Sequence, residues 1–307
     1  MSRLFHILLL LVACASQASG QDFCVPWISF PEADDAMQVW FREEIELDEA
    51  PRYATLLVMT SGRMEVFVNE RNVSTDVMMP CREAINDTTA TGIRFDIARF
   101  LHPGTNIIAV AYSPSARHST TRQIAVVLRG AYNNGCHFAV DSDEGWLCRP
   151  ASTSLTDEGH EQSEPALMPM KWTSDDIDLA RWVPSRLCPE PFGEEDEWFE
   201  GCYEAERVAH VRHADYFDIE PEGIYYVFNE PFIGWVRVTM RGAKRGQRVA
   251  CDGQEYVCTG QTDEQTCGRF VASPHHRVLI SVEGDMLPDI IANVEALEIL
   301  PYFHQNF

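Results

Sequence analysis

The sequence predicts an all-β protein made of two antiparallel β-sandwich, jelly-roll-like domains behind an N-terminal signal segment. Three observations carry that expectation. Short apolar runs rich in β-branched and aromatic residues recur along the chain. Gly, Pro, Asn and Asp separate them, as turns between strands require. The strands are not interleaved with helical patterns of the kind that mark a parallel α/β sheet.

The elements follow in order. Residues 1–20 hold Arg3, the apolar run Leu8-Leu9-Leu10-Leu11-Val12 and then small residues, the pattern of a secretory signal. Two cleavage readings stand open. Leu11-Val12-Ala13-Cys14 is a lipobox-like phrase that would leave Cys14 lipidated and the protein membrane-anchored. Ala18-Ser19-Gly20 before Gln21 is an ordinary cleavage site that would release it. No later stretch approaches the roughly 18 apolar residues that span a bilayer.

Strand phrases come next: Val39-Trp40-Phe41-Arg42, then Thr55-Leu56-Leu57-Val58-Met59 ending at Ser61-Gly62, then Glu65-Val66-Phe67-Val68-Asn69. Residues 107–112 and 123–128 add two more. Asp96 to Leu101 reads as one helical turn stopped by His102-Pro103-Gly104. Residues 151–164 are polar and turn-rich, and are expected to form an exposed loop. The acidic segment 189–201 marks the expected boundary, with domains over 21–190 and 191–307. Beyond it, Val236, Val238 and Met240 alternate with Arg237, Thr239 and Arg241, so that strand should bury one face and wet the other.

Composition narrows the function. The chain has 307 residues, 45% of them hydrophobic, which suits a globular protein with a sizeable core. Its net charge of -23 disfavours nucleic acid and anionic membrane faces. Polyanionic glycans are disfavoured too, unless the scarce Arg and Lys gather around a groove. Of 10 cysteines, Cys14 falls in the signal, leaving an odd number, so at least one is free or pairs between chains. Cys136 and Cys148 are placed to face each other across a hairpin near Ser142-Asp143; buried free thiols are the competing reading.

The order of these phrases resembles the non-catalytic β-domains of bacterial α-L-rhamnosidases, whose first unit is a galactose-binding-like jelly roll. The resemblance rests on Trp40-Phe41-Arg42-Glu43, on Val68-Asn69-Glu70, on Phe95-Asp96-Ile97-Ala98, and on Leu101-His102-Pro103-Gly104-Thr105-Asn106. It continues in Asp141-Ser142-Asp143-Glu144-Gly145-Trp146 and in 175–184. It ends in the phrase Gly234-Trp235-Val236-Arg237-Val238-Thr239-Met240-Arg241-Gly242. Asn69-Glu70 stands where that family has Asn-Gly, which removes the permissive glycine of a tight turn. The (α/α)-barrel catalytic domain of the family would follow the second sandwich. The resemblance therefore implies an accessory, carbohydrate-binding role without catalysis, with a structural calcium as an implied extra and no other cofactor.

Other chemistry has weaker support. Glycoside hydrolysis needs two carboxyl groups about 5 to 9.5 Å apart. Asp175, Asp176, Asp178 and Glu194 to Glu197 could supply them, but charge runs on loops are usually solvated faces. His210 with His213, and His275 with His276, lack a third metal ligand. No GxSxG, HExxH or phosphate-binding glycine motif is present. Sugars are held by aromatic faces, and Trp198 with Phe199 and Tyr203 in the acidic loop, Trp146 by a hairpin tip and Trp172 after a polar loop are the expected platforms. Trp40 and Trp235, within strands, are expected in the core. The sequence thus reads as an exported glycan-binding accessory protein, periplasmic, outer-membrane-anchored or extracellular. A glycosidase with an unrecognised carboxylate pair and an assembly subunit without a sugar site are the alternatives.

Overall fold

A computed structural model describes residues 25–32, 37–80, 91–114, 123–167, 171–189, 199–200, 205–283 and 290–302. Strands account for 61% of the described residues and helix for 3%, so the all-β expectation holds. The first strands are β1 (Trp27–Ser29), β2 (Met37–Leu47), β3 (Tyr53–Thr60), β4 (Arg63–Val68), β5 (Arg71–Asn72), β6 (Thr91–Asp96) and β7 (Gly104–Ser113). They continue as β8 (Ile124–Ala131), β9 (His137–Asp141), β10 (Leu147–Leu155), β11 (Glu161–Ser163), β12 (Val183–Pro184), β13 (Arg186–Cys188) and β14 (Phe199–Glu200).

Two layers form from them. One sheet runs β13-β1-β8-β3-β6-β14, with β9 paired to β8. The facing sheet contains β10, β2, β7, β4 and β5 in that order. The core between them follows the period-two rule: Val39, Phe41, Ile45 and Leu47 of β2 meet Leu56, Val58, Val126 and Leu128 of the opposite sheet. The alternate residues of β2 would face water in a simple sandwich. Here Trp40 is 3% exposed, because Trp172, Trp182 and Phe270 cover that outer face. The helical turn expected over 96–101 is a 3-10 turn at Ala98–Phe100.

The later strands are β15 (Ala205–His213), β16 (Tyr216–Glu220), β17 (Gly223–Met240), β18 (Arg248–Cys251), β19 (Gln254–Val257), β20 (Glu264–Thr266), β21 (Ser273–Val282) and β22 (Ile291–Tyr302). Their core contains Val236, Val238 and Met240 as the alternation predicted, packed with Val249, Val278, Ile280 and Val294. Trp235 is buried as expected, against Met78, Leu297 and Ile299.

The two sets share one sheet. β11 pairs antiparallel with β10 and parallel with β19, joining Gln162 to Glu255 and Ser163 to Tyr256. This corrects the exposed loop expected at 151–164: those residues are largely β10, a turn at 156–160 and β11. Their polar side chains fit a sheet because partners satisfy them. Glu161, 5% exposed, accepts the backbone N–H of Arg269 at 2.7 Å and of Phe270 at 3.1 Å, and the Gln38 amide at 3.2 Å. Arg269 in turn grips Glu65 of β4, with Nε to Oε2 at 2.8 Å. Arg63 donates to the Phe270 carbonyl.

The expected Cys136–Cys148 pairing is also corrected. Both thiols are free: Cys136 is exposed ahead of β9, while Cys148 is buried in β10 of the other sheet. The hairpin imagined between them is a crossover between layers.

Candidate functional site

Three phrases that are far apart in the sequence meet at one end of the first sandwich. The turn from β4 to β5 brings Asn69, Glu70 and Arg71; the 3-10 turn and its exit bring Arg99, Phe100 and His102; the segment after Trp172 brings Ser174 and Asp175. Between them lies a cleft of about 780 Å³.

Two side-chain amides build this end, Asn106 buried and Asn69 partly so. The Asn69 Nδ2 donates to the Phe100 carbonyl and to Asn106 Oδ1, both at 2.8 Å, while its Oδ1 accepts the Ile107 N–H at 2.8 Å. Asn106 Nδ2 donates to the carbonyls of His102 at 2.7 Å and Gly104 at 2.8 Å, and its Oδ1 accepts the His102 N–H at 3.0 Å. Only Asn carries both donors and an acceptor on so short a stem. The Pro103-Gly104 pair suits the bend they close, with Gly104 at φ +88.

The β4–β5 turn has left-handed backbone at both central positions, Asn69 at φ 48 and Glu70 at φ 67. That is the geometry of a type I′ hairpin, which Asn-Gly satisfies without strain. Glu70 adopts it at a cost, held by its N–H to the Thr173 carbonyl at 3.2 Å. Its carboxylate is exposed at the cleft, and strained residues of this kind cluster at functional surfaces.

The charges around the cleft are mixed. Glu70, Asp175, Arg71 and Arg99 are all exposed. The Arg99 guanidinium lies 4.7 Å from the centre of the Phe100 ring, which is half-buried. Behind the wall, Arg42 is 2% exposed; its Nη2 donates to the Ser174 carbonyl at 3.1 Å and its Nη1 has no partner. Burial pulls the Arg42 pKa below the usual range, and Glu44 and Asp175 oppose that.

The expected aromatic platforms fare differently. Trp198 and Tyr203 lie outside the described residues, as do Cys14, the signal segment 1–20 and Glu194 to Glu197. Phe199 is described only through its backbone, which pairs in β14 with Thr91. Trp146 is 1% exposed, with Nε1 donating to the Asp141 carbonyl at 3.3 Å. Trp172 is 4% exposed and stacks on Trp40, centroids 4.9 Å apart and planes 10° apart. Both are core residues with no face open to a sugar, because each closes over a sheet that its loop folds back upon. Phe100, Arg71 and Arg99 were not singled out in the sequence, although the phrases flanking them were.

Among the described residues no group of three or more His, Cys, Asp or Glu is placed to hold a metal ion. His210 is bound to Glu298 at 2.9 Å and His213 to Asn293 at 3.0 Å; His275 meets Asp252 at 2.9 Å. Asp176 forms an exposed contact with Lys171 at 3.8 Å. Glu43 is pushed up to about 7, first by burial and then by the like charges of Asp143 and Glu44; it is not part of the cleft lining.

No protein-family model matches the sequence, and no curated protein matches it. Solved structures do. An α-L-rhamnosidase from Dictyoglumus thermophilum matches with a TM-score of 0.79 at 15% identity, over 91% of this chain and 36% of that one. The α-L-rhamnosidase of Aspergillus terreus gives 0.77 at 16%, over 91% and 36%. That of Streptomyces avermitilis, complexed with L-rhamnose, gives 0.74 at 16%, over 87% and 29%. The chain shares their fold. It spans little more than a third of the length of the first two proteins. Among the described residues no helix is long and apolar enough to cross a membrane.

Proposed function

We propose that this chain is an exported, non-catalytic accessory protein of glycan degradation, rhamnosidase-like, that binds saccharide in the cleft beside Phe100. The observation that carries the reading is the convergence of Asn69-Glu70, Arg99-Phe100 and Ser174-Asp175 on one open cleft. An aromatic face suits the C–H patches of a sugar, and carboxylates with guanidiniums can read its hydroxyls. The likeness to part of the α-L-rhamnosidases supports the accessory role.

In this reading residues 21–190 are the jelly roll and 191–307 the second sandwich. The leader directs export, with release after residue 20 or anchoring through lipidated Cys14. The partner is a glycan and not nucleic acid, in keeping with the charge of -23.

The test is a glycan array with the purified chain, together with an assay for reducing-sugar release. Binding without release, lost in Phe100→Ala, is the expected result. Sugar release abolished by Asp176→Ala would overturn the non-catalytic reading in favour of a glycosidase. An empty array, with the chain eluting alongside other proteins, would favour an assembly subunit.

A further inference from the structure

The cleft departs from the charge of the rest of the chain. The protein carries 24 Lys and Arg against 47 Asp and Glu. Several arginines elsewhere are paired with carboxylates: Arg129 with Asp141, Arg207 with Asp76, Arg237 with Glu295, Arg277 with Glu220. At the cleft, Arg71 and Arg99 are exposed and neither has a carboxylate partner among the described residues. His102 lies beside them.

The opposing charges are partly spent. Asp175 lies within electrostatic reach of the buried Arg42, whose Nη2 holds the Ser174 carbonyl of the cleft wall. That leaves Glu70 and two guanidiniums without a carboxylate partner in one cleft lining. A guanidinium presents its N–H groups as a planar fork that matches a carboxylate in two parallel hydrogen bonds. The half-buried ring of Phe100 belongs to the same cleft lining, with the Arg99 guanidinium over it.

We infer that the cleft recognises an acidic saccharide, with the carboxylate of a uronic acid held by Arg71 and Arg99 and the sugar body against Phe100. This inference rests on the saccharide-binding reading above and adds the chemical class of the ligand.

Calorimetric titration with a glucuronosyl-rhamnose disaccharide, as the free acid and as its methyl ester, tests it. The methyl ester keeps the sugar rings but has no charge and caps one carboxylate oxygen with a methyl group. The free acid should bind about tenfold more tightly than the ester, the worth of one charge-assisted bond pair. Arg71→Ala and Arg99→Ala should each shrink that preference about fivefold or more, weakening the acid further than the ester. Equal binding of acid and ester, or equal weakening of both by the Arg variants, would overturn the acidic ligand and leave the saccharide reading intact. Galactose 6-sulfate binding as tightly as the acid would overturn the carboxylate in favour of a sulfate ester. Failure of acid and ester alike to bind would overturn both readings.

Discussion

Asn69 and Asn106, 37 positions apart, share a side-chain hydrogen bond of 2.8 Å and between them tie the β4–β5 turn to residues 100–107 at one sandwich end. Asn106 is fully buried, so each of its bonds replaces one that water can no longer supply. The cleft exists because these amides hold the β4–β5 turn against the exit of the 3-10 turn.

Asn106→Ala should therefore destabilise the protein by about 3 kcal/mol, since the carbonyls of His102 and Gly104 and the His102 N–H all lose their partner. Urea unfolding would measure it. A loss below about 0.5 kcal/mol would show that the loops hold without the amide pair.

Glu70→Gly should act in the opposite direction. The φ of 67 suits glycine, and relief of the left-handed strain should raise stability by about 1 kcal/mol. Affinity for the uronic acid should rise at the same time, because a charge of the same sign as the ligand leaves the cleft. A thermal melt and a titration on the same variant read both effects. A variant both less stable and unaltered in binding would contradict this account.

Glu161→Ala should loosen the seam between the two strand sets. The carboxylate accepts two backbone N–H groups from 269–270 and the Gln38 amide; its loss leaves the two N–H groups empty, at about 3 kcal/mol in total, while Gln38 keeps its bond to Ser113. Hydrogen exchange should speed up first at Arg269 and Phe270. Unchanged exchange there would mean that Arg269–Glu65 and the β11–β19 pairing suffice.

Stability should also depend on Glu43. Its folded pKa is raised from 4.5 to about 7, so the folded state binds the proton more tightly than the unfolded one. The sign follows: the contribution is present below pH 4.5 and lost as pH rises towards 7. Glu43→Gln should thus melt higher than the wild type at pH 8, with the difference shrinking on the way to pH 4.5. A difference that stays constant across that range would show that Glu43 does not titrate there.

Thiol labelling separates the described cysteines. Cys148 is buried and pushed up to about 12, Cys258 is buried and pushed up to about 11, and burial also raises buried Cys251. Cys267 is exposed but is pushed up to about 12. Cys136, exposed, should take up a maleimide first at neutral pH. Mass spectrometry of the labelled chain would show it, and prior labelling of Cys148 would contradict the burial.

Much of the fold was legible in particular residues. The alternation of Val236, Val238 and Met240 with polar neighbours fixes which face of β17 is buried, since side chains of a strand point to opposite sides in turn. The phrase ending in Asn106 likewise predicts a stopped turn followed by a strand. The polar text of 151–164 misled, because its strands bury polar groups whose partners lie at Gln38, Arg269 and Phe270.

The sequence by itself determined the all-β class, the buried strand faces and the phrases that surround the cleft. These are local: periodicity and turn chemistry act within a few residues. Only the tertiary structure decided that Trp172 stacks on Trp40, that Trp146 closes a core, and that Arg71 and Arg99 share a rim beside Phe100. A loop tryptophan's destination and an arginine's lack of a partner depend on which distant segment folds over it. No local pattern records that.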